Sequence, residues 1–308
     1  MIFLEKLESE IEKNNSLLSI GLEPDPDKIP KHLFSLEDPL FEFNKAIIDA
    51  THDLVCAYKP QIATYSALGV EGLKSLLKTV SYLKKHHPDI PLILDAKRGD
   101  IARTSEKYAK EAFDVIGADA VTVNPYLGLD ALEPFLQRKE KGIIILCRTS
   151  NLSASDFQDL LIYPSSDPDL SGESRSNSSR QDRYQMVTRQ ARTISSYEPL
   201  YIKIAKKVVE WNEKYRNCLM VIGATWPEQL KEVRKIAPEM FFLVPGIGTQ
   251  RGDLQKTLKY GLTKNGSGLI IHSSSAIIYA SSEKNFAQKA KDEAKKVSDL
   301  INKYRYGR

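Results

Sequence analysis

The chain has 308 residues, 42% of them apolar and 27% charged, with 44 basic against 40 acidic side chains and a net charge of +4. That balance excludes collagen-like, disordered and membrane-embedded chains and describes a globular protein able to bury a sizeable core. The lysines are spread over helical segments instead of being gathered into a stripe with interleaved aromatics, which argues against nucleic acid as a partner.

The opening segment, MIFLEKLESEIEKNN, sets apolar and charged residues at helical spacing and lacks the apolar core of a signal peptide. No run approaches the roughly 18 apolar residues of a membrane helix, so a cytoplasmic location without a membrane partner is expected. From there, short apolar runs alternate with amphipathic stretches. Strands are expected at 17–23, 54–60, 91–97, 120–126, 142–150, 218–225, 241–248 and 268–274. Several are apolar on consecutive residues, as strands covered on both faces require. Helices are expected over 66–86, 103–116, 200–212 and 227–237, the last opening on Pro227, which suits a first turn. A final helix sets Phe286, Ala290, Ala294, Val297, Ile301 and Tyr304 at steps of three and four, one stripe for packing on a barrel.

Eight such units predict a single α/β domain over 1–308, a (β/α)8 TIM barrel. The alternative, a doubly wound open sheet, carries GxGxxG after its first strand, where this chain reads GLEPDPD. The rhythm breaks once. Residues 165–180 include seven serines in sixteen positions and open a Ser-rich insertion, 165–196, in the fifth βα loop, on the face where barrel sites lie. It reads either as a solvated loop or as a cover over the site. Cys56, Cys147 and Cys218 are too few and too far apart for a disulfide framework or a metal pair and read as reduced core thiols. The five histidines show no HExxH or similar spacing, so no metal site is expected.

The strongest local signal is LILDAKRGDIARTSEKYA, residues 92–109. Alternation along a strand predicts Asp95 and Lys97 on one side of the barrel mouth, with Ala96 turned away. Asp100 follows three residues later, so two carboxylates can bracket one ammonium group. Such a cluster costs several kcal/mol to desolvate and marks either a functional site or a structural ion-pair network.

This DxKxxD arrangement, followed by Ile101 and Thr104, resembles the orotidine 5'-phosphate decarboxylase family. Also similar to that family are GLEPDPD (21–27), AYKPQ (57–61), VNPYLG (123–128), CRTSN (147–151) with DFQDL (156–160), GATWPEQL (223–230) and PGIGTQRGD (245–253), and RTSN and VNPYLG resemble its longer bacterial subgroup. The resemblance implies decarboxylation of orotidine 5'-monophosphate to uridine 5'-monophosphate without metal or organic cofactor. It makes Lys97 the proton donor and electrostatic partner of the developing charge, with Asp95 holding that lysine and crowding the substrate carboxylate. It also implies a homodimer with shared active sites, in which Asp100, Ile101 and Thr104 serve the neighbouring subunit. Lys59 would join the charged network and the ribose, Ser150 would meet the pyrimidine, and Gln250 would grip the phosphate. Gly246, Gly248 and Gly252 would let the backbone approach it.

Two positions depart from the family pattern. Glu23 stands where an aspartate is usual, so the ribose contact falls to Glu23 or to Asp25. Ser275 stands where an arginine usually meets the phosphate, and Arg251, just after Gln250, either supplies the displaced charge or faces solvent. Two rival functions are a magnesium-dependent phosphosugar lyase or synthase of the same barrel group and a nonenzymatic nucleotide-binding barrel.

Overall fold

A computed structural model describes residues 1–162, 197–247 and 252–307. Eight parallel strands form the central sheet: β1 (Leu18–Leu22), β2 (Ala57–Pro60), β3 (Ile93–Arg98), β4 (Ala120–Val123), β5 (Gly142–Arg148), β6 (Cys218–Ile222), β7 (Phe242–Val244) and β8 (Leu269–Ser273). Each expected strand is present. Hydrogen-bonded ladders run in the order β2-β1-β8-β7-β6-β5-β4-β3. The ring is completed between β2 and β3 by two isolated parallel bridges, Tyr58 with Leu92 and Gln61 with Asp95, in place of a continuous ladder. The fold is the TIM barrel expected from the alternating pattern. In β1, β2, β4 and β6 every residue is buried, because side chains alternate between the barrel interior and the interface with the outer helices.

The N-terminal helix (Phe3–Lys13) buries Phe3, Leu7 and Ile11. Phe3 lies where a Cβ on Gly142 would stand, against the start of β4 and β5, so this helix covers part of the barrel floor. Two helices differ from expectation. The helix expected from residue 66 instead begins at Gly69 and runs to His86, after a separate short helix, Ile62–Ser66, with Gly69 at φ +68° making a turn that a residue with a Cβ adopts at a cost. The stretch expected over 103–116 is α-helical only for Ala102–Lys110 and continues as a π turn, Glu111–Val115.

An antiparallel pair, Leu161–Ile162 with Glu198–Pro199, flanks the fifth βα loop. The 165–196 insertion lies outside the described residues, as do Gly248, Gln250 and Arg251. Cys56, Cys147 and Cys218 are all buried and unpaired. Among the described residues no helix is long and apolar enough to cross a membrane.

Candidate active site

At the C-terminal ends of the strands lies a cavity of about 580 Å3, lined by Glu23, Lys59, Asp95, Lys97, Thr122, Ser150, His272 and Ser275 among others. Its floor carries four charges of alternating sign. Glu23 Oε1 lies 3.5 Å from Lys59 Nζ, which donates to Asp95 Oδ2 at 2.7 Å; Lys97 Nζ donates to Asp95 Oδ1 at 2.6 Å. The row is buried in its middle: the Lys59 and Asp95 side chains are 4% and 11% exposed, against 27% for Glu23 at one end and 47% for Lys97 at the other. Burial alone would raise the Asp95 carboxyl, but the Lys59 and Lys97 ammonium groups outweigh it and hold the carboxyl well below the usual carboxylate range. Asp95 is therefore a fixed negative charge between two cations.

This geometry rests on an irregularity in β3. Leu94 pairs with Val121 and Arg98 with Val123, so Asp95, Ala96 and Lys97 together face the single residue Thr122 of β4. Lys97 takes φ +47°, a left-handed conformation that an ordinary side chain rarely adopts. Asp95 and Lys97 do meet, but a bulge joins them where regular alternation was expected.

The rim is built from loops. Arg148, fully buried at the end of β5, makes a two-pronged pair with Asp159 at 2.9 and 2.8 Å and lies over the Trp226 ring. Gln158 accepts from the Thr149 amide and donates to its hydroxyl. Beyond this anchor, the Thr225 hydroxyl donates to the Ser150 carbonyl. Gly223, with no Cβ, lets the Ser150 backbone approach within a distance that a methyl group would close. RTSN and DFQDL thus meet in space, Ser150 being carried into the cavity.

His272, on β8, is buried with Nε2 4.0 Å from Glu23 Oε1 and Nδ1 3.4 Å from the Ser19 hydroxyl. Burial, reinforced by the Lys59 ammonium, pushes its pKa well below the ordinary imidazole value, so the ring is neutral. An unfolded histidine takes up a proton near pH 6.5 that the folded site refuses, so stability falls as pH drops below that value, by at most about 1.4 kcal/mol per pH unit. His272→Asn should flatten this slope, which urea midpoints of both proteins at about pH 7 and about pH 5 measure.

The structure brings Glu23, Lys59, Asp95, Lys97 and Ser150 into one cavity. Asp25 lies outside its lining and pairs with Lys28 at 2.9 Å; of the two carboxylates expected to meet the ribose, Glu23 is the one in the cavity. Asp100 lies outside the lining as well, its carboxylate accepting from the Ile101 amide, while Ile101 and Thr104 are exposed on the same rim. Thr122 and His272 were not anticipated. A lone hydroxyl in the apolar β4 and a lone imidazole in the apolar β8 were the available signals. Among the described residues no cluster of three or more His, Cys, Asp or Glu side chains is placed to hold a metal ion.

The profile of the orotidine 5'-phosphate decarboxylase / HUMPS family matches residues 33–290. The chain belongs to this family. Its similarity to orotidine 5'-phosphate decarboxylases extends through the whole barrel: 48% identity over 275 residues to that of Cellvibrio japonicus, covering 89% of this chain and 88% of the relative. With the Azoarcus sp. decarboxylase it shares 44% over 306 residues, 99% and 100% of the two chains, a match that fits the longer bacterial form. Among solved structures, Leishmania donovani OMP decarboxylase superposes with a TM-score of 0.78 at 31% identity, covering 99% of this chain and 100% of that one.

Proposed function

We propose that this single-domain chain is a carboxy-lyase that converts orotidine 5'-monophosphate to uridine 5'-monophosphate, the final step of UMP synthesis, in the cavity above β3. The observation that carries this reading is the row Glu23, Lys59, Asp95, Lys97, which ends in a half-exposed ammonium group. Loss of CO2 breaks the bond to C6 and leaves its electron pair in the ring plane, where the ring π system cannot absorb it. Lys97 stabilises that charge by proximity and passes one proton from Nζ to C6; water restores the proton to the lysine. Asp95, pinned as an anion, holds Lys97 and faces the substrate carboxylate, and Lys59 keeps Asp95 charged. Glu23 and Lys59 take the ribose hydroxyls, and Ser150 takes the pyrimidine. No metal or organic cofactor enters these steps.

The site is shared within a homodimer, Asp100, Ile101 and Thr104 reaching the neighbouring cavity. Support comes from the Asp100 carboxylate, which lies outside its own cavity beside the 62% exposed Ile101. Three buried thiols suit the reducing cytoplasm. Gln250 grips the phosphate, and Arg251 supplies the charge that Ser275 does not. Arg251→Ala should lower kcat/KM about tenfold or more for the nucleotide but not for the phosphate-free nucleoside; equal losses on both would remove Arg251 from the phosphate site.

The deciding assay is loss of orotidylate ultraviolet absorbance on mixing with pure protein in a chelator. Turnover there separates this function from a magnesium-dependent phosphosugar lyase and from a nucleotide-binding barrel without activity. Binding without turnover would overturn it.

A further inference from the structure

Thr122 sits in the middle of β4, 1% exposed, with every hydrogen-bonding direction of its hydroxyl in use. Oγ1 accepts from the Ala96 amide at 3.0 Å and from the Lys97 amide at 2.9 Å, and it donates to Asp95 Oδ1 at 2.8 Å. These three bonds fall on the three residues of the β3 bulge, where ladder pairing between β3 and β4 is interrupted. In a regular parallel ladder the two amides would have backbone carbonyls to donate to. Here one side-chain oxygen receives both, and its proton goes to the carboxylate that holds the Lys97 ammonium.

We infer that Thr122 is the positioning residue of the site: its hydroxyl sets the bulge, holds Lys97 in the left-handed backbone conformation, and fixes the Asp95 carboxylate against the Lys97 ammonium. Hydrophobic burial does not explain this residue, since valine has nearly the same shape and suits a buried parallel strand better. Removing the hydroxyl leaves the two part-buried amides of Ala96 and Lys97 without their acceptor and Asp95 Oδ1 without one of its donors. The bulge then relaxes, and Lys97 moves relative to C6 of the substrate. A displacement on the order of 1 Å costs about a hundredfold in rate.

The inference rests on the proposed decarboxylation, and the test separates the two. Thr122→Val, Thr122→Ala and Thr122→Ser are compared with the parent protein in the orotidylate absorbance assay, with kcat and KM measured separately and thermal melting as a control. The valine and alanine variants should lose about 10- to 100-fold in kcat with KM changed less than about threefold, while serine, which keeps the hydroxyl, should stay within about threefold of the parent in both. A threonine that only supports the fold would give losses that follow melting temperature and would not be rescued selectively by serine. Valine and alanine variants within about threefold of parental kcat, or a serine variant as slow as they are, would overturn the inference. If valine does not fold, the alanine and serine pair carries the same comparison. Inactive parent protein would instead overturn the decarboxylase reading itself.

Discussion

Lys97→Ala is expected to remove nearly all turnover while leaving the barrel folded. The side chain is 47% exposed, so its loss opens no core cavity, and Asp95 keeps Lys59 and Thr122 as partners. Lys97 is therefore a cleaner probe than Asp95, whose removal would leave the Lys59 ammonium buried with, among the described residues, only Glu23, 3.5 Å away, to balance it. On the proposed mechanism two contributions disappear with Lys97: a positive charge beside the developing carbanion and the proton that ends the reaction. General acid catalysis alone is worth about 10² to 10⁴ in rate. Retention of more than about a tenth of parental kcat/KM, a deficit below roughly 1.4 kcal/mol, would place the proton donor elsewhere. Unchanged melting temperature and uridine 5'-monophosphate affinity would show that the loss is chemical.

Mixing two inactive proteins, Lys97→Ala and Asp100→Ala, should restore activity if Asp100 serves the neighbouring subunit. In a symmetric dimer each site then combines Lys97 from one subunit with Asp100 from the other, so a heterodimer holds one site with both changes and one with neither. Random exchange of equal amounts makes about half of the dimers mixed and about a quarter of all sites intact. Recovery near that level, appearing as mass spectrometry detects the mixed dimer, is the expected result. Mixed dimers without activity would return Asp100 to its own subunit and require the turn between β3 and the Ala102–Lys110 helix to fold inward.

The barrel could be read from its apolar runs because strands covered on both faces leave continuous hydrophobic segments, and all eight fell where the pattern put them. The charge cluster was legible for a different reason: carboxylate and ammonium groups at the end of a buried strand are costly and so conspicuous. The bulge was not. Alternation brought Asp95 and Lys97 together by assuming a regular β3, and nothing in LILDAKR announces that three residues will face Thr122. A hydroxyl that organises a neighbouring strand acts through cross-strand register, which only three-dimensional pairing reveals. His272 escaped because an isolated histidine in an apolar run looks the same whether it packs in the core or borders a cavity. The helix of 66–86 was misjudged at its start because the amphipathic pattern continues across Gly69, whose positive φ marks where the helix begins.

The two isolated bridges between β2 and β3 give the closure a mechanical meaning. Where the other seven junctions are stitched by backbone ladders, this one is also spanned by the buried pair of Lys59 on β2 and Asp95 on β3. The ionic row thus acts as a clasp across the junction of the ring with the least continuous pairing, and parting these strands would pull the charges out of reach of one another. Catalytic competence and ring closure are in this way one cooperative state: a fluctuation that opens the seam disarms the site, and an occupied site resists the opening.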